Sequence, residues 1–141
     1  MTEDARKTRH TLAAYRKQLR RLRAQKQLVT ALEQGCMGRA PSCVRSSTPG
    51  DPTLVTVIRL ENERRRLKRL ELGLHWRRSL LKCYLDTVQD SVVRMILFLK
   101  YWDGRTWKQI AVRHGVGATE DAVRRIAERY MEAHPMPWFR V

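Results

Sequence analysis

Four leucines spaced seven residues apart, Leu60, Leu67, Leu74 and Leu81, constrain this chain more than any other feature. A seven-residue apolar repeat matches two turns of a slightly underwound helix, so all four fall on one line that needs a packing partner. The repeat predicts a long helix from about Pro52 to Cys83. Leu70 and Tyr84 fill part of the companion row, while Glu63 and Arg77 interrupt it. Asp51-Pro52 suits the helix start, with Asp as cap and Pro at the first helical position. Gly73 lies mid-helix, where it costs about 1 kcal/mol relative to Ala. It marks a bend or a close crossing.

A second long helix is expected from Glu3 to about Gln34, rich in good helix formers. Thr2 can cap it, and Glu3 and Asp4 suit its positive end. Leu12, Tyr15, Leu19 and Leu22 follow a 3-4-3 spacing, continued with drift by Leu28, Val29 and Leu32. Gly35 is expected to end it. Residues 36–51, CMGRAPSCVRSSTPGD, have the composition of a linker. Two seamed helices flanking a linker fold most simply into an antiparallel hairpin. A homodimer through the same seams is the alternative, and the sequence does not separate the two.

Residues 91–131 carry a different pattern. Val92, Val93, Ile96, Leu97, Phe98 and Leu99 are apolar nearly all round a helix, which predicts burial. Leu85-Asp86-Thr87 reads as the turn before it, with Asp86 or Thr87 as cap. Asp103-Gly104 should end that helix. Thr106 then caps a short one, in which Trp107, Ile110 and Ala111 share a face. Gly115-Val116-Gly117 breaks it. Thr119 caps the next helix, and Glu120 and Asp121 sit in its first turn where the helix dipole favours anions. Val123, Ile126, Ala127 and Tyr130 form its apolar stripe, and Arg124, Arg125 and Arg129 point away. Two helices joined by a glycine turn, with arginines free on the second, can place that second helix in a DNA major groove.

The run LKYWDGRTWKQIAVRHG is similar to region four of bacterial sigma factors. The following GVGATEDAVRRIAERYM resembles phage and prophage sigma-like proteins, the late-transcription regulators of the ArpU/RinA type. The resemblance rests on Trp107, Ile110, Ala111, Gly115, Gly117, Thr119, Asp121, Ala122, Val123, Arg124, Arg129 and Tyr130. The chain departs from the pattern at Val116, where Gly is common, and its turn is two residues longer than in a standard region four. The resemblance covers roughly the last third of the chain. It implies a DNA-binding transcription regulator, with double-stranded DNA as its partner and RNA polymerase as a further candidate.

Charge points the same way. The chain has 141 residues and a net charge of +15, with 29 Lys and Arg against 14 Asp and Glu. Such an excess predicts a polyanionic partner. Residues 1–35 and 54–85 each hold six of the excess charges, and residues 86–141 only two. Arg64, Arg65, Arg66, Lys68 and Arg69 form the densest cluster, with Arg20, Arg21 and Arg23 opposite. No apolar run approaches the ~20 residues of a membrane span. The N-terminal MTEDARKTRH lacks a secretory pattern, which predicts a cytoplasmic chain. Cys36, Cys43 and Cys83 suggest reduced thiols rather than a disulfide framework or a zinc site. His10, His75, His114 and His134 are scattered, and no acid–base pair or phosphate loop stands out. Neither enzymatic activity nor a cofactor is expected.

The expected architecture is all-α. A basic helical hairpin occupies residues 1–85, followed at 86–141 by a sigma-region-four-like helix-turn-helix and a tail whose Trp138 and Phe139 dock back. The expected function is sequence-specific double-stranded DNA binding. Arg124 and Arg125 contact base edges or phosphates, and Arg105, Lys108, Thr119 and Arg129 contact phosphates. Two alternatives stand beside it: a DNA-packaging adaptor similar to a phage small terminase subunit, and a module that grips RNA polymerase or another protein.

Overall fold

The computed structural model describes residues 1–37 and 52–136, the side chains of Cys36, Met37 and Pro52 excepted. The described residues build an all-α fold: α1 (Glu3–Met37), α2 (Pro52–Thr87), α3 (Ser91–Leu97), α4 (Trp107–His114) and α5 (Glu120–Ala133), with a π-helical turn at Phe98–Trp102 extending α3. The inner linker, Cys43, Trp138 and Phe139 lie outside the described residues.

The chain forms two compact units, one of residues 1–17 with 74–141 and the other of residues 18–73. The boundary between these units falls inside both long helices. In the unit of residues 18–73, α1 and α2 run antiparallel. Gln25 Nε2 donates to the Glu63 backbone carbonyl at 3.1 Å and also to its carboxylate. Arg64 pairs with Glu33 at 2.7 Å, and Gln18 Nε2 donates to Leu70 O at 3.3 Å. Leu22, Val29 and Leu60 are buried along this seam, as is Gln25. Glu63 interrupts the apolar row, and the buried Gln25 amide answers it. Gly73 is a close crossing: a Cβ there would collide with the Gln18 amide.

The unit of residues 1–17 and 74–141 has one apolar core. Ala5, Leu12 and Tyr15 of α1 meet Leu81, Tyr84 and Leu85 of α2. Ile96 and Leu97 of α3, Ile110 and Ala111 of α4, and Val123, Ala127 and Met131 of α5 complete it. Thr8 is buried among them. Its hydroxyl donates to Asp4 O at 2.8 Å and accepts from Met136 N at 3.1 Å, which fixes the start of the C-terminal tail.

Four local expectations are corrected. Gly35 does not end α1, which continues to Met37. Gly35 lacks the positive φ of a glycine cap, and an interior glycine weakens a helix without stopping it. The expected turn at Leu85–Thr87 is the last turn of α2, because Tyr84, Leu85 and Val88 are all buried in the core. The cap of α3 is Asp90, accepting from Val92 N at 2.9 Å and Val93 N at 3.4 Å, while Asp86 accepts from Arg94. The apolar stretch at 92–99 is not buried all round: Val92 and Phe98 are each 41% exposed.

The C-terminal end of α3 is closed from a distance. Asp103 N donates to Phe98 O at 3.1 Å, the five-residue step of a π turn, and Arg105 N donates to Leu99 O at 2.9 Å. Gly104 has φ +72, as the sequence leads one to expect. Arg16 of α1 then donates to the otherwise open Trp102 carbonyl at 2.9 Å, its guanidinium lying directly over the Gly104 Cα. Glycine is thus required twice, for its φ and for the room that Arg16 uses.

Two predictions follow from this core. Gly104→Ala should cost roughly 1–3 kcal/mol, from the positive φ and from displacing Arg16. In an Arg16→Ala background the same substitution should cost about 1 kcal/mol less, measured by urea denaturation as a double-mutant cycle. Burial also pushes the Tyr101 hydroxyl from its ordinary 10.0 up to about 12, and pushes Tyr84 up as well. Because the folded values are raised, this stability is present below pH ~10 and is lost as pH rises towards ~12. The urea midpoint should therefore fall above pH ~10, and fall less in Tyr101→Phe.

Candidate functional site

The pair of helices α4 and α5, with the turn between them, displays the candidate residues. Thr106 and Gln109 make a reciprocal capping box at the start of α4. Gln109 N donates to Thr106 Oγ1 at 3.3 Å, and Thr106 N donates to Gln109 Oε1 at 3.1 Å. Gln109 completes the S/T-x-x-Q pattern, a local signal that the sequence carries. Gly115 and Gly117 take φ +152 and +86, so the turn needs both glycines. Thr119 caps α5 by accepting from Ala122 N at 3.2 Å.

Packing decides which face of α5 remains free. Val123, Ala127 and Met131 have no exposed surface, and Ile126 and Tyr130 border them. At 100° per residue, Arg125 and Arg129 fall opposite that buried line. Both are exposed and have no ion-pair or hydrogen-bond partner among the described residues. Arg124 lies on the flank, bound to Asp121 at 2.6 Å. Arg105 pairs with Asp103 at 3.3 Å, and Lys108 is exposed on α4 with no partner among the described residues. Thr119 serves its own helix as a cap. The structure thus brings five of the six sequence-predicted residues to the ends and outer faces of α4 and α5. Arg105 stands just before α4.

Electrostatics on α5 are decided by α1. Helix α5 carries four acids, Glu120, Asp121, Glu128 and Glu132, against three arginines, so alone it is slightly negative. Arg9 pairs with Glu128 at 3.5 Å, and the Met1 ammonium with Glu132 at 3.0 Å. Asp121 is already paired with Arg124, and Glu120 faces the helix dipole in the first turn. The uncompensated charges on the outer face of α5 are then Arg125 and Arg129. Sequence reasoning missed Arg9, since nothing local signals a partner 119 residues away.

One aromatic contact braces the start of α4 and another the end of α5. The Lys100 ammonium sits 4.7 Å over the Trp107 ring. Burial lowers the Lys100 pKa, and the ring face offers a partner for the charge. Tyr130 stacks on His134 at 4.5 Å, and Tyr84 donates to His134 O at 2.9 Å. Among the described residues, no group of three or more His, Cys, Asp or Glu is placed to hold a metal ion. No described helix is long and apolar enough to cross a membrane. Cys83 is a free, exposed thiol.

No family model, curated protein or solved structure matches the chain.

The two caps differ in what their loss should cost. Thr119→Ala removes one accepted hydrogen bond and should cost about 1 kcal/mol. Thr106→Ala also unlocks Gln109 and should cost somewhat more, up to ~2 kcal/mol. Thermal unfolding followed by circular dichroism checks both. A larger loss at Thr119 would mean that its hydroxyl has a role beyond the cap.

Proposed function

We propose that this protein is a sequence-specific double-stranded DNA-binding transcription regulator of phage or prophage type, in which α4 and α5 act as a helix-turn-helix. In this reading α5 is the recognition helix. The observation that carries it is the charge pattern of α5. Its acids are engaged at the helix start or by partners, while Arg125 and Arg129 face outward and unpaired. A helix entering a groove between two phosphate backbones must carry few free carboxylates. A guanidinium fork suits both guanine O6/N7 and phosphate oxygens.

The other residues take supporting roles. Lys108 and Arg105, at the start of α4, and Thr119, at the start of α5, are suited to phosphates, which fix the register of a protein on the duplex. Arg124 reaches a base edge or phosphate by exchanging Asp121. The basic helices α1 and α2 add attraction that does not depend on sequence. Arg20, Arg21, Arg23, Arg66, Lys68 and Arg69 are exposed and have no ion-pair partner among the described residues. The similarity to sigma-factor region four and to ArpU/RinA-type regulators supports the same reading, with RNA polymerase as a second partner.

The test begins by selecting tight-binding duplexes from a random pool, then titrating the enriched sequence and a scrambled control over a salt series. The parent should prefer the enriched sequence by about a thousandfold or more. Arg125→Ala and Arg129→Ala should each lose roughly 1–3 kcal/mol of binding where they touch bases, and less where they touch phosphates. Binding to the control should persist, weaken steeply with salt, and barely respond to either variant if α1 and α2 supply it. If the pool yields no enriched sequence, or the variants lose nothing, α5 does not read DNA.

A further inference from the structure

A groove runs between the last turns of α2 and α3 with its π-helical turn, on the unit of residues 1–17 and 74–141. It encloses about 730 Å³. None of the six residues assigned to DNA lines it. Its walls are joined by the short step at residues 88–90. The floor is apolar: Leu85, Met95, Phe98 and Trp102. Phe98 stacks on Trp102 at 6.0 Å and remains 41% exposed, an aromatic face held in place but uncovered. Met95 adds an unbranched side chain that adapts to varied apolar shapes.

The rim is cationic. His75, Arg78 and Lys82 stand at i, i+3 and i+7 along α2, with Arg94 across the groove. Arg78 is held 5.1 Å over the Trp102 ring. The one lining carboxylate, Asp86, is already bound to Arg94 at 3.1 Å. From His75 to Asp86 the wall rises roughly 16 Å, about three helical turns. An apolar floor with a charged rim at helical spacing has the dimensions for an amphipathic helix whose anchors fall at i, i+3 or i+4, and i+7.

We propose that this groove docks an acidic amphipathic helix of a partner protein. Its large apolar side chains settle on Phe98, Met95 and Trp102, and its carboxylates meet Arg78, Lys82 and Arg94. Charge complementarity selects an acidic partner, and the apolar floor selects a peptide over duplex nucleic acid, whose base faces are stacked inside the helix. The proposal does not rest on DNA reading by α5.

The test uses the full chain and a fluorescein-labelled synthetic peptide of about 20 residues, with Leu and Phe on one helical face and Glu on the other. A control has the same composition, scrambled so that the apolar residues no longer share a face. Fluorescence anisotropy should show saturable binding of the amphipathic peptide, at least about tenfold tighter than the control. Phe98→Ala and the double variant Arg78→Glu with Lys82→Glu should each weaken it by about tenfold or more, with helical circular dichroism unchanged. If Phe98→Ala fails to fold, the surface double variant still decides. Absence of binding, equal binding of both peptides, or unchanged affinity in the variants would overturn the proposal. So would displacement of the peptide by a single-stranded oligonucleotide whose own binding the variants abolish. Duplex binding should stay within about twofold in Phe98→Ala, which leaves the charge unchanged, so the failure of either reading is told from the failure of the other.

Discussion

The short helices of this protein depend on burial against α1. Helices α3, α4 and α5 have 7, 8 and 14 residues. Isolated helices below ~12–15 residues are marginal in water, so propensity alone does not hold the first two. Their stability comes from a core that Ala5, Thr8, Leu12 and Tyr15 help to wall in. Thr8 is the most constrained of these positions. Its hydroxyl has one proton and two lone pairs, and the structure uses it as donor to Asp4 O and acceptor from Met136 N with no exposed surface. An apolar residue of the same shape would fill the space and leave a buried N–H unpaired, a loss of about 1–3 kcal/mol. Arg16 extends the same dependence to the far end of α3, where it occupies the Trp102 carbonyl.

What could be read in the sequence was local. Thr106 and Thr119 act as caps, Gly104 takes a left-handed φ, and Val123 and Ala127 form a buried stripe. Each of these depends on residues within one or two turns of each other, where residue type and spacing carry the physics. The leucine repeat likewise announced a long helix, and Glu63, which interrupts its companion row, meets the Gln25 amide of α1. What could not be read was set by distant contacts. The π turn at Phe98–Trp102 has no signature of its own, and it coincides with the place where Arg16 arrives. The end of α2 was placed too early because Asp86 and Thr87 look like turn residues. The burial of Leu85 and Val88 outweighs that preference. Met131 showed no special signal, being one more apolar residue near a helix end, yet it is fully buried and meets the Tyr101 hydroxyl at 4.0 Å.

The candidate site was readable as a set of residues but not as a field. Counted along the chain, α5 is slightly negative, and most of the net charge lies on α1 and α2. Folding changes the balance on α5 without changing the count. Arg9 takes up Glu128, Asp121 is held within the helix, and what remains on the outer face is cationic. The first turns of α1 therefore do two things at once. They close the core beneath α5 and they remove a carboxylate from its display. A charge total by segment misses this, because the compensating charge belongs to another segment.

The sequence sets Arg124 and Arg125 apart from Arg129, and the structure divides the three differently. Arg125 and Arg129 project opposite the buried stripe with no ion-pair partner among the described residues. Arg124 is held by Asp121 at 2.6 Å, with the two side chains 50% and 67% exposed. An exposed pair of this kind is worth about 0.2–1 kcal/mol, whereas a good bidentate contact to a base is worth roughly 1–3 kcal/mol. Asp121 also keeps its favourable place at the positive end of the α5 dipole after the pair is broken. The exchange is therefore downhill wherever a guanine edge or a phosphate comes within reach of Arg124. Until then Asp121 holds the guanidinium in one orientation, at a strength that the proposed DNA contact exceeds.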